Sequence, residues 1–216
     1  MPQKLKAPLF LTFEGGEGAG KTTLIARIKR YFEEKGAEVV STREPGGTPL
    51  GEKLREIVLN GGKDLALPSK AELLIFLAAR ASHVEQLIRP ALQQNKVVLF
   101  DRFNDSTVAY QGIARALGLE DTEELCASAT GNLQPNLTFY LDLNPEEGFG
   151  RMKKAERTQD RMESEAIEFH QKVRNGFLEL AKRHPQRIKR LDASKSADEV
   201  FEQALKHLES IDALQA

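Results

Sequence analysis

The chain has little cysteine, almost no charge imbalance and no long apolar run, and each shortage excludes something. A single cysteine, Cys126, rules out an internal disulfide framework and a cysteine-built zinc cage, and it suits a reducing compartment. The 31 lysines and arginines against 32 aspartates and glutamates leave a formal net charge of −1. Without a basic excess no extended nucleic-acid track is expected, and any anion site must be a local concentration of cations. No run approaches the ~18 apolar residues of a membrane span. The opening MPQKLKAPLFLTF is followed at once by Glu14 and a glycine-rich loop, so it reads as a first strand rather than a secretion signal. Repeats, low-complexity tracts and dividing linkers are missing as well. The expectation is one domain over residues 1–216, in the cytoplasm, with neither membrane nor nucleic acid as partner.

What is present is an ordinary globular composition, 40% hydrophobic and 29% charged, in a chain long enough for its own core. Five short apolar runs recur, at 9–14, 38–42, 96–100, 137–142 and 187–191, separated by stretches of helical periodicity. That alternation predicts an α/β fold with a five-stranded parallel sheet flanked by helices. Leu24, Ile25, Ile28, Tyr31 and Phe32 mark one helical face, and Gly36 supplies its left-handed stop. Ser69 with Glu72, and Asp121 with Glu124, have the spacing of capping boxes, while Asn144-Pro145 opens another helix. Pro90 should kink or break the long apolar helix near Arg89. Residues 151–163 contain Arg151, Lys153, Lys154, Arg157 and Arg161 with few large apolar side chains, which predicts an exposed, mobile segment.

Residues 15–22, GGEGAGKT, satisfy G-x-x-x-x-G-K-[ST] between a predicted strand and a predicted helix, the context that the motif requires. By chance the pattern arises in on the order of one in a hundred chains of this length. Gly15, Gly16, Glu17, Gly18, Ala19, Gly20, Lys21, Thr22 and Thr23 are therefore expected to hold a nucleotide, which the resemblance described below makes ATP. Successive backbone amides and a helix N-terminus would cradle the phosphates, and Lys21 would reach the β/γ-phosphates. The Thr22 hydroxyl would take Mg²⁺, joined by Asp101 at the end of the third strand. The only Asn-Lys pair, Asn95-Lys96, is followed by two valines, so a guanine-reading N-K-x-D element is absent. Arg43, Arg80 and Arg102 lie near the other loops of that sheet edge; taken singly, each also fits a solvated surface arginine. The four histidines lie outside every motif and fit surface or packing roles.

Seven segments, FEGGEGAGKTT (13–23), TREPGGT (42–48), FLAAR (76–80), DRF (101–103), STVAYQG (106–112), YLDLNPE (140–146) and DRME (160–163), closely resemble bacterial thymidylate kinases and follow their order. The resemblance implies a P-loop NTP hydrolase-like fold, usually a homodimer, that transfers the γ-phosphoryl group of ATP to dTMP with Mg²⁺, giving dTDP and ADP for dTTP synthesis. It further implies that Phe76 stacks on thymine and Arg80 bonds its edge. Ser106, Thr107 and Gln111 would complete base and sugar contacts, with Tyr110 under the deoxyribose. Arg102, with Arg43 and Pro45 close by, would hold the acceptor phosphate. Glu17 would bind the acceptor sugar and help hold the arginines, and residues 151–163 would form a lid carrying the catalytic cation, Arg157 or Arg161 first, with Arg151, Lys153 and Lys154 behind them. Phe103 departs from the family, which commonly has Tyr or His there. The alternatives are another nucleoside monophosphate or deoxynucleoside kinase, or a P-loop switch.

Overall fold

The computed structural model describes residues 7–60, 67–154, 160–209 and 211. Five parallel strands, β1 (Leu9–Gly15), β2 (Val39–Arg43), β3 (Val97–Asp101), β4 (Leu137–Asp142) and β5 (Ile188–Asp192), form one sheet in the order β2-β3-β1-β4-β5. Each of the five apolar runs became a strand, with limits within one residue of those expected. The central strand β1 is buried along its whole length. Leu9, Leu11 and Phe13 pack with Leu24, Ile28 and Phe32 of α1 (Lys21–Glu34) on one face, and Phe10 packs with Phe100 and Phe103 on the other. Strands covered on both faces are apolar nearly throughout, as parallel sheets demand.

The remaining helices are α2 (Pro49–Asn60), α3 (Ser69–His83), α4 (Arg89–Gln93), α5 (Asn104–Thr107), α6 (Leu119–Thr130), α7 (Pro145–Lys154), α8 (Ile167–Arg183) and α9 (Ala197–Leu208). Gly36 has φ +81° after α1, the left-handed stop expected there. The Asn144 side chain accepts from the Glu146 amide at the start of α7, again as expected.

Two local expectations fail for physical reasons, and a third is narrowed. α3 has no capping side-chain bond at its start; Glu72 is turned into the protein, where arginines and a glutamine compete for it. α6 begins at Leu119 after Gly118, two residues before Asp121, again without a side-chain cap. Of the two outcomes expected at Pro90, a kink or a break, the break does not occur, and the helix is instead altered locally just before Arg89. The chain widens into a π-helical turn at Val84–Ile88, in which the Arg89 amide reaches back to the Val84 carbonyl, and α4 continues with Pro90 in its first turn. A proline in a first turn lacks only an amide that would be unpaired anyway. A second π-helical stretch, Val108–Ala114, continues α5 and contains Tyr110 and Gln111. No helix among the described residues is long and apolar enough to cross a membrane.

Candidate active site

The carboxyl ends of β1, β2 and β3 open on one cavity of about 420 Å³. On its β1 side Gly18 and Gly20 hold φ of +66° and +91°, which lets the loop curl before α1. α1 has no side-chain cap and no acidic residue in its first turn. Its leading amides and dipole end are thus left for an anion. Lys21 Nζ donates to the carbonyls of Gly15 and Gly16, both at 3.1 Å, which fixes the ammonium at the loop mouth. Burial, reinforced by Arg102, pulls its pKa below the ordinary lysine value. Gly18, Ala19, Gly20, Lys21 and Thr22 line the cavity with Glu17; Gly15, Gly16 and Thr23 belong to the same turn but do not line it. The loop also packs backbone to backbone on α7: a Cβ at Gly18 would stand 2.3 Å from the Gly148 carbonyl oxygen.

Opposite the loop, the same cavity is lined by Arg43, Pro45, Phe76, Arg80, Asp101, Arg102, Ser106, Thr107, Tyr110 and Gln111. Phe76 is only partly buried, so it faces the cavity rather than filling the core. Arg102, at φ +68°, is tied by its amide to the Phe13 carbonyl, and its guanidinium bonds Glu17 and, at 3.3 Å, the Tyr110 hydroxyl. Burial alone would lower its pKa, but Tyr110, Glu17, Asp101 and Glu14 together hold it above the arginine value. Glu17, a carboxylate inside a phosphate cradle, thus has a cationic partner in the structure. Arg80 is 1% exposed and held by Glu44, with Nε and Nη2 at 2.7 and 2.6 Å from its Oε2. Arg43 lies more open, paired with Glu52 at 3.2 Å.

Sequence reasoning missed three buried glutamates beneath these groups. Glu14 accepts from the Phe103 amide at 2.7 Å and from the Ser106 hydroxyl. Burial and nearby Asp105 push its pKa up to about 8. Glu44 is pushed up to about 7 by burial against the pull of Arg80. Glu72 gathers Gln111, Arg115 and Arg161. The available signal for Glu14 and Glu72 was a carboxylate beside an apolar run, and in α3 a Glu72, Phe76, Arg80 ladder at four-residue spacing that shares one helix face; Glu44, in TREPGG, carried none.

The lid expectation needs correcting where the structure describes it. Met152, Met162 and Glu163 are buried, and Met162 packs with Leu73, Val173 and Phe177. Asp160, Met162 and Glu163 line the cavity, whereas Arg161 turns away to bond the Val58 carbonyl and Glu72. Arg157 lies outside the described residues. Arg151 bonds the carbonyls of Ala193 and Gly18. Phe103 is sealed against Phe10 and Phe100, with Arg80 over its ring, so a polar tip would have no contact with the cavity from there. Of the histidines, His83 and His170 are buried and packed against Phe100 and Phe149.

A glycine-built phosphate cradle at the carboxyl edge of a parallel sheet defines a P-loop nucleotide-binding protein of the α/β class. Comparison with known proteins narrows this. The family model described as thymidylate kinase matches residues 13–204. A thymidylate kinase of Protochlamydia amoebophila (strain UWE25) is 49% identical over 215 residues, 97% of this chain and 96% of the relative. One of Acinetobacter baumannii (strain SDF) is 48% identical over 200 residues, 93% of this chain and 100% of the relative. The crystal structure of thymidylate kinase from Ehrlichia chaffeensis superposes with a TM-score of 0.76 at 33% identity, covering 94% of this chain and 99% of that one. The chain belongs to the thymidylate kinase family. Its reaction is the ATP-dependent phosphorylation of dTMP to dTDP, and nothing in these comparisons favours a different acceptor class or a switch.

Proposed function

We propose that the chain performs this transfer by holding two phosphorylated nucleotides end to end and neutralising their charge, without a covalent protein intermediate. The observation that carries the reading is one continuous cavity lined on one side by Gly18–Thr22 and on the other by Phe76, Arg80, Arg102 and Tyr110. The loop amides and Lys21 hold the ATP phosphates. Arg102 and Arg43 grip the dTMP phosphate, Phe76 stacks on the base and Arg80 donates to its edge. Ser106, Thr107 and Gln111 complete the base and sugar contacts, Tyr110 underlies the deoxyribose and Glu17 meets the sugar. Each close pair of phosphate charges repels by about 4 kcal/mol at 4 Å and an effective dielectric of ~20, so several cations must converge. The acceptor phosphate oxygen then attacks the γ-phosphorus in line while Lys21 and a lid arginine spread the developing charge.

The donor set fits Mg²⁺. Among the described residues no group of three or more His, Cys, Asp or Glu could form a metal cage. Asp101 Oδ1, however, is buried without a hydrogen-bond partner, and Asp101 shares the cavity with the exposed Thr22. One carboxylate and one hydroxyl suit an ion whose shell is completed by phosphates and water. Asp101 and Thr22 would hold the ion, which would supply charge neutralisation during the transfer.

Since Arg161 is committed to Glu72 and Val58, the catalytic lid cation in this reading is Arg157. A homodimer is supported by exposed apolar side chains on α2, α3 and α6, namely Leu50, Ile57, Leu74 and Leu125. A cytoplasmic setting is supported by the single buried thiol of Cys126. The test is ADP release measured with dTMP, dUMP, UMP, dCMP, AMP and thymidine in turn. ADP should form rapidly with dTMP and scarcely without an acceptor; acceptor-independent hydrolysis would overturn the reading. In the same assay Arg157→Ala should lower kcat more than it raises the dTMP KM, and Arg161→Ala the reverse.

A further inference from the structure

Glu72 is 1% exposed, and every group that bonds it is a donor. Gln111 Nε2 donates to its Oε1 at 2.9 Å, Arg161 Nη2 donates to its Oε2, and Arg115 reaches both oxygens at 3.4 and 3.5 Å. Burial opposes the carboxylate, but Gln111, Arg161 and Arg115 hold its pKa below the ordinary value, so it is ionised at neutral pH. An ionised carboxylate accepts only. It therefore settles which end of the Gln111 amide faces which way: the reverse orientation would set two acceptor oxygens against each other in a buried place. With its nitrogen committed to Glu72, Gln111, itself 1% exposed, offers the cavity its carbonyl oxygen.

We propose that Glu72 is a positioning residue that sets base specificity by fixing Gln111 as a hydrogen-bond acceptor in the cavity that the obligate donor Arg80 also lines. The inference rests on the acceptor base lying against Gln111. An acceptor next to a donor matches the N3–H and O4 of thymine or uracil. A cytosine edge presents the reverse, a bare N3 and an amino group, and meets like with like at both positions. The same carboxylate anchors Arg161, so the Asp160–Glu163 end of the lid and the base-reading amide share one support.

The test uses two acceptors that differ at N3 and C2 but keep the O4 acceptor for Arg80: dTMP, with N3–H, and 5-methyl-2′-deoxyisocytidine monophosphate, with an unprotonated N3. The unaltered enzyme should prefer dTMP by at least about tenfold in kcat/KM. Glu72→Gln places at position 72 a group that donates as well as accepts, releasing Gln111 to turn. The preference should then fall by about tenfold, through KM with kcat largely kept, whereas Glu72→Asp retains it. Gln111→Leu should abolish the preference, and adding Glu72→Gln to it should change nothing further. Equal use of the two acceptors by the unaltered enzyme overturns the proposal. So does a Glu72→Gln enzyme that loses both activities in parallel with the preference intact. If Glu72→Gln does not fold, the Glu72→Asp comparison and the unaltered enzyme's own preference still decide. A preference that survives Gln111→Leu shows instead that the base lies elsewhere, which is a failure of the site assignment rather than of the orienting role.

Discussion

The two sides of the cavity are built by different means. The side proposed for the donor is a contiguous stretch, Gly15–Thr22, which offers backbone amides and one lysine. The side proposed for the acceptor takes side chains from β2, α3, the β3–α5 turn, α5 and the π-helical stretch, and sets buried glutamates behind them: Glu14 behind Ser106, Glu44 behind Arg80, Glu72 behind Gln111. Amides fixed by a turn need no further support. Long side chains lose rotamer entropy when ordered, so each needs a partner that holds it before the ligand arrives. Backbone-built sites are therefore vulnerable to a single methyl group, and side-chain-built sites to the loss of a supporting charge.

The sharpest break between the two sides comes from removing one charge from each. Lys21→Ala should lower kcat about a thousandfold with little change in the dTMP KM if, as proposed, its ammonium acts on the charge that develops at the γ-phosphate. Arg102→Ala should lower kcat/KM for dTMP about a hundredfold and leave the ATP KM nearly unchanged. Steady-state kinetics with each substrate varied separates the two patterns, and the same pattern in both variants would erase the distinction.

A smaller effect tests the backbone side alone. Gly18→Ala puts a Cβ at φ +66° and 2.3 Å from the Gly148 carbonyl, so loop or helix must shift. A loss of about 1–3 kcal/mol in stability is expected from strain at such a position, together with weaker ATP binding, read by denaturant unfolding and titration calorimetry. Unchanged dTMP binding in that variant would show that the two sides are supported independently.

The least conspicuous signal is a slope. Glu14 has a folded-state pKa raised to about 8, above its unfolded value of about 4.5, so the folded protein binds the extra proton between those limits. The stability this contributes is complete below about pH 4.5 and is lost as pH rises towards 8. Glu14→Gln should therefore gain stability relative to the unaltered protein across that window, by no more than about 1.4 kcal/mol per pH unit. Urea melts at pH 5, 6.5 and 8 measure it; a difference independent of pH would mean that Glu14 does not carry the proton.

How much could be read in advance follows the same division. The phosphate loop, the five strands and the Gly36 stop were legible because each is a local pattern in consecutive residues. Glu72 was misread as a cap because its spacing from Ser69 is right for one, and only the packing of α3 against the Val108–Ala114 stretch exposes its other partners. At Pro90 the expectation left a kink or a break open, and only the structure shows a π-helical turn a few residues earlier absorbing the proline without a break. The lid's Met162 and Glu163 looked solvated because the surfaces that bury them belong to distant parts of the chain.

By itself the sequence determined the alternation of strand and helix, the turn that exposes amides to a phosphate, and the kinds of charge available near it, since all of these arise from neighbours along the chain. Only the tertiary structure decided the order β2-β3-β1-β4-β5, the burial of Phe103, and the pairing of each buried glutamate with the cation, hydroxyl or amide that it supports. Those pairings join residues up to 92 positions apart, as Glu14 and Ser106 are. Their partners are chosen by which side chains the crossovers bring to one edge of the sheet, where an unpaired charge could not remain buried.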